Sequence, residues 1–135
     1  VSKIKIVQHQ LLNENSAIYL NDFLNLELIW NTGIGFGLLN LEAGIIYNLI
    51  SVFISFIILV IVFFLIKADL KEGFFYALII GGAVGNLYDR AIYFAVPDFI
   101  DFHIGNYHWF TFNIADIFIT VGIILLIIKE VTYKR

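Results

Sequence analysis

The sequence predicts an all-α integral membrane helix bundle with a small β-hairpin and loop platform at one surface, and three observations predict it. The 135 residues are 61% hydrophobic and only 14% charged, whereas soluble domains average roughly half apolar and a quarter charged; mean hydropathy is +0.91. The apolar residues fall into three long runs, at 44–66, 73–94 and 113–128. The polar residues that interrupt the second and third runs gather where those runs approach the segment 96–112.

Residues 1–43 mix polar and apolar side chains with no run long enough to cross a bilayer, so they are expected outside the hydrocarbon. Within them, 16–20 and 23–30 have the β-branched and aromatic character of short strands, with Asn21 and Asp22 at the turn. Residues 31–37, NTGIGFG, hold three glycines in seven positions and read as a loop whose backbone turns tightly. Residues 44–66 carry no charge and suffice to cross a hydrocarbon core of about 30 Å at about 1.5 Å per residue. A short charged connection at 67–72 allows only a turn to an antiparallel second span, 73–94. Residues 96–112 read as a loop with the single proline, two Asp, two His and several aromatics, and 113–128 as a third span. Lys67, Lys71, Lys129, Lys134 and Arg135 then lie on one side, which the positive-inside rule makes cytoplasmic. The N-terminal region and the 96–112 segment are extracytoplasmic in this topology. The chain does not begin with Met, and a further helix ahead of residue 1 is expected from the outside N-terminus of a three-span arrangement.

The second span contains costly chemistry, GGAVGNLYDR at 81–90. At 3.6 residues per turn, Gly82, Asn86, Asp89, Arg90 and Tyr93 form one small and polar stripe that should face protein or water. The plain alternative is that Gly81 and Gly85 let a neighbouring helix pack closely and that Asp89 and Arg90 are a local ion pair. Asn113 and Asp116, three apart, share a face at the start of the third span, where a helix N-terminus favours a carboxylate. Asp98 or Asp101 can be brought opposite Asp116, and two carboxylates sharing a site cannot both ionise easily; one keeps a proton as general acid while the other activates water. The alternative reading makes Asp98 and Asp101 solvated and Asp116 a helix cap.

Other chemistries are poorly supplied. Cysteine is absent, which excludes disulfides and thiolate nucleophiles, and a net charge of -3 gives no reason to expect nucleic acid. There is no HExxH or GxSxG. His103 and His108 lie near Asp98 and Asp101 but lack helical ligand spacing; with Tyr107 and Trp109 they read as interfacial residues, and no metal or other cofactor is expected.

Taken together, NTGIGFG at 31–37, GGAVGNLYDR at 81–90, VPDFIDF at 96–102 and FNIAD at 112–116 closely resemble the lipoprotein signal peptidase (signal peptidase II) family, over nearly the whole chain. The resemblance implies an aspartic endopeptidase of the bacterial inner membrane. Its members remove the signal peptide from prolipoproteins just before the diacylglyceryl-modified cysteine. Carried over by motif, Asp98 and Asp116 are the catalytic dyad, and Asp101 is not. Asn31, Gly82, Asn86, Asp89, Arg90, Asn113 and Ala115 are supporting or substrate-positioning residues. The family has four transmembrane helices, the first ending in Asp-x-x-x-Lys, of which Lys3 is the final residue. Expected partners are the lipidated precursor and membrane lipid, with a monomeric enzyme and the active site on the extracytoplasmic side. From other classes, a small membrane scaffold and a proton-coupled transporter subunit are the alternatives; a transporter would distribute its acids across the membrane depth.

Overall fold

A computed structural model describes residues 1–12, 17–32 and 43–133. In chain order these form α1 (Ser2–Leu12), β1 (Ile18–Asn21), β2 (Leu24–Asn31), α2 (Ala43–Lys67), α3 (Leu70–Tyr93), β3 (Val96–Ile104), β4 (Tyr107–Phe112) and α4 (Ile114–Tyr133). The expected hairpin is present, turning at Asp22 and Phe23, one residue later than the composition indicated. Asn21 closes it locally: its Oδ1 accepts from the Phe23 and Leu24 backbone N–H groups at 2.9 and 3.0 Å, as short Asx side chains do at turns. The loop reading of 33–37 lies outside the described residues.

Two expectations need correction. Residues 96–112 are not a loop but the hairpin β3–β4, which joins β1–β2 in a four-stranded antiparallel sheet of order β1-β2-β3-β4, so the fold is a helix bundle plus a sheet and not all-α. The proline, two Asp and two His gave the segment the composition of a loop, but Pro97, sitting second in its strand, costs little there. The turn is made by Gly105 and Asn106 between partners Ile104 and Tyr107, with Gly105 at φ 59°, a conformation L residues rarely adopt. The second correction is α1, a helix where no element was expected; it packs against β3 and β2 and buries Ile6 and Gln10.

α2 is apolar on every side and exposes Leu49, Val52, Phe53, Phe56, Leu59 and Phe63, which only a lipid environment makes favourable. Among the described residues, Tyr47–Lys67 is the one segment long and apolar enough by itself to cross a membrane. α3 and α4 make the most extensive helix contact and run antiparallel, with Asp69 and Lys129 paired at one end and Asn86 and Asp116 at the other. A Cβ on Gly82 would meet the Ala115 carbonyl oxygen and, at 2.7 Å, Ile119 Cγ1; one on Gly122 would meet Ile79 Cγ1 at 2.6 Å. Close approach therefore runs through Gly82 and Gly122, with Gly85 in ordinary contact with Ala115, whereas Gly81 has nothing within 4 Å. Asp69 caps α3 by accepting from the Glu72 N–H at 2.9 Å. α3 ends on Phe94, left-handed at φ 54°, whose N–H bonds to the Arg90 carbonyl and turns the chain into β3. Asp98 thereby follows the helix end by only four residues.

Candidate active site

Asp116 is placed by the start of α4. Asn113 is its N-cap: its Oδ1 accepts from the Ala115 N–H at 2.8 Å, and its own N–H donates to Asp116 Oδ2 at 2.9 Å. This reciprocal pair is a variant of the capping box and fixes the Asp116 rotamer from purely local sequence. The other oxygen, Oδ1, accepts from Asn86 Nδ2 of α3 at 2.7 Å.

Asp98 is placed by the sheet. β2 and β3 pair Ile29 with Asp98 and Asn31 with Val96, so Asn31 is a diagonal neighbour of Asp98. Its Nδ2 donates to Asp98 Oδ2 at 2.9 Å, and Asn113 Nδ2 donates to Oδ1 at 2.6 Å. Asn113, fully buried, thus binds one carboxylate through its side chain and the other through its backbone. Burial pushes the Asp98 carboxyl above its ordinary pKa; the Asn113 and Asn31 hydrogen bonds and the Lys3 charge oppose the rise, and the Asp116 charge adds to it.

The network continues outward. Lys3 of α1 donates to Asn86 Oδ1 at 2.6 Å and pairs with Asp89. The partner of Asp89 is therefore Lys3 and not its sequence neighbour Arg90. Arg90 is buried, its carbonyl accepts from Tyr47 Oη of α2, and its guanidinium lies 5.7 Å from the Tyr47 ring centroid. Ala115 supplies the surface against which Gly82 packs. Lys3 was legible only as the last letter of a motif; its ion pair with a residue 86 positions away had no signal in the sequence. Asp101 lies on the same strand as Asp98 but turns to His103 and His108, away from this network.

Two cavities flank the row of polar groups. One of about 400 Å³ is lined by Lys3, Gly82, Asp89, Pro97 and Ala115. The other, about 340 Å³, is lined by Phe110, Phe112, Ile117, Thr120 and Val121, with Asp116 as its one acid.

A buried carboxylate and a half-buried one, held by a shared asparagine beside an apolar groove, define the class: a membrane protein with the equipment for acid–base hydrolysis. The comparisons specify it further. The family model for signal peptidase (SPase) II matches residues 1–132. The lipoprotein signal peptidase of Pelagibacter ubique (strain HTCC1062) is 48% identical over 134 residues, covering 99% of this chain and 81% of that protein. That of Francisella tularensis subsp. novicida (strain U112) is 39% identical over 138 residues, covering 97% and 84%. Among solved structures, a bacterial membrane enzyme determined by the in meso method at 1.9 Å superposes with a TM-score of 0.70 at 28% identity, covering 95% of this chain and 88% of that one. A second, at 2.3 Å resolution, gives a TM-score of 0.67 at 26% identity, with 95% and 80% covered. The chain belongs to the signal peptidase II family, peptidases of the aspartic type.

Proposed function

We propose that this chain cleaves lipidated prolipoproteins just before the diacylglyceryl-modified cysteine, using Asp98 and Asp116 as its dyad. The observation that carries the assignment is the double engagement of Asn113, which holds both carboxylates in one hydrogen-bonded unit. In this scheme the pair shares one proton, and Asp98, whose carboxyl burial pushes above its ordinary value, is the acid. Asp116, acting as the base and steadied by Asn86 and the Asn113 N–H, takes a proton from water while the water oxygen bonds to the scissile carbonyl carbon. Asp98 gives its proton to the carbonyl oxygen, forming a gem-diol. Collapse of the diol breaks the C–N bond: the leaving cysteine nitrogen takes up the proton that Asp116 had acquired while the Asp98 carboxylate takes one diol hydroxyl proton back, so the dyad ends as it began, with a single proton.

The apolar groove beside Asp116 suits the acyl chains of such a substrate. α2, α3 and α4 are read as three spans of one membrane domain over 1–135, with the sheet and the first 43 residues on the outer face of the bacterial inner membrane. The acids collect at the sheet end of α3 and α4, which suits a surface reaction better than a proton path. Gly82, Ala115 and Arg90 support the site, Asn31, Asn86, Asn113 and Asp89 hold it, and the enzyme acts as a monomer without nucleic acid.

The test is cleavage of a diacylglyceryl-modified prolipoprotein peptide in detergent. Asp98→Asn and Asp116→Asn should each reduce the rate by at least a thousandfold with circular dichroism unchanged, and Asp101→Asn should keep substantial activity. Loss at Asp101 with retention at Asp98 would overturn the dyad.

A further inference from the structure

The far half of the β3–β4 hairpin holds a second cluster that the peptidase reaction does not use. Asp101 and His103 are two apart on β3, so they share a face, and His108 is the cross-strand partner of His103. The register slips between Phe102 and His103, so Trp109 is passed over and His108 comes opposite His103; bulges commonly re-aim a side chain in this way. Asp101 Oδ2 is 2.7 Å from His108 Nδ1 and 3.5 Å from His103 Nδ1. Ligand atoms of all three residues lie within 4.8 Å of one another.

What distinguishes the cluster from a simple Asp–His hydrogen bond is how much of it remains unsatisfied. Asp101 is 1% exposed, yet its Oδ1 has no hydrogen-bond partner among the described residues, and neither does Nδ1 of the buried His103. Asn25, which faces Asp101 across β2–β3, adds a third such atom, a buried Oδ1. A proton on His108 satisfies one oxygen of Asp101 and leaves the other buried atoms without a partner, which is unfavourable for each. A divalent cation satisfies several at once.

We infer that Asp101, His103 and His108 form a Zn²⁺ site that clamps the β3–β4 hairpin. Two imidazoles and one carboxylate are a tetrahedral donor set with a position left for water, and bonds of about 2.0–2.2 Å put ligand atoms about 3.3 Å apart. The His103–Asp101 separation of 3.5 Å is already close to that, and the 2.7 Å contact opens when the shared proton is replaced by the ion. The clamp sits between the two chain segments that define the dyad: β3 carries Asp98 three residues before Asp101, and β4 runs into Asn113. Its role is to stiffen the strands that aim these groups; no step of the hydrolysis passes through it.

The experiment uses full-chain protein purified in detergent without a polyhistidine tag, stripped with chelator and titrated with Zn²⁺ by calorimetry, with Co²⁺ as a spectroscopic substitute. One Zn²⁺ per chain, a tetrahedral Co²⁺ visible spectrum and a rise in unfolding temperature with added Zn²⁺ are expected. His103→Ala and His108→Ala should each weaken binding at least tenfold. Because His108 is 54% exposed, its replacement leaves the fold intact and keeps the test decisive. Asp98→Asn should bind Zn²⁺ as the unaltered chain does. Absence of stoichiometric binding, binding that survives the His103→Ala, His108→Ala double change, or binding lost in Asp98→Asn would each overturn the proposal.

Discussion

Replacing Gly82 with alanine adds a single methyl group at the point where α3 and α4 touch. That methyl would sit 2.7 Å from Ile119 Cγ1 and closer still to the Ala115 carbonyl oxygen, against an ordinary carbon–carbon contact of about 3.5–4.0 Å. Ile119 can rotate away, but a backbone oxygen cannot, so the helices must part by roughly 1 Å, at an overpacking cost of about 1–3 kcal/mol. Asp116 follows Ala115 directly and is held to α3 by the 2.7 Å bond from Asn86. A 1 Å separation stretches that bond beyond useful length and lets the Asp116 carboxylate swing, and a misplacement of this size costs on the order of 100-fold in rate. Cleavage of the lipidated peptide and thermal unfolding in detergent, measured on the same preparations, read both effects. The neighbouring Gly81→Ala is the control: its methyl meets nothing within 4 Å, and removing a mid-helix glycine stabilises by about 0.5–1 kcal/mol. A Gly82→Ala enzyme with full activity and an unchanged midpoint, or a Gly81→Ala enzyme as damaged as Gly82→Ala, would refute the reasoning.

Three further outcomes are expected. The raised Asp98 pKa means that the folded chain holds this proton to higher pH than the unfolded chain. Its contribution to stability is therefore fully present below the unfolded carboxylate value of about 3.9 and is lost as pH rises through the folded value. Urea unfolding of Asp98→Asn should then gain on the unaltered chain as pH climbs from that point, and a gap that narrows instead contradicts the sign. Lys3→Met strands the Asp89 carboxylate and releases Asn86 from its orienting bond, so it should cost about 3 kcal/mol and slow cleavage, while Lys3→Met combined with Asp89→Leu should recover much of the stability; a double variant no better than the single one speaks against the pairing. At the other end of the bundle, Lys129 pairs with the exposed Asp69 and with Glu72, where water and salt screen the interaction; Lys129→Ala should leave both the unfolding midpoint and the activity within error, and a large drop in either would show that end to be more than a surface contact.

Much of this molecule is written in local sequence. Apolar runs fixed the three long helices because each residue's preference is decided within a turn or two, and Asn113 with Asp116 could be read as a helix start because the capping geometry involves only four consecutive residues. The stripe from Gly82 to Arg90 followed from helical periodicity alone. Tertiary structure decided the rest. Residues 96–112 become strands because β1–β2 offers an edge on which to pair, which a window over those residues cannot see. Gly82 and not Gly81 meets α4, since one residue turns the contact by 100° and only the partner helix says which direction is inward. Spacing left Asp98 and Asp101 equivalent. Register against β2 brings Asn31 beside Asp98, the α4 cap brings Asn113, and the hairpin bulge gives Asp101 to two histidines, so the same side chain three residues apart meets two asparagines in one place and two imidazoles in the other.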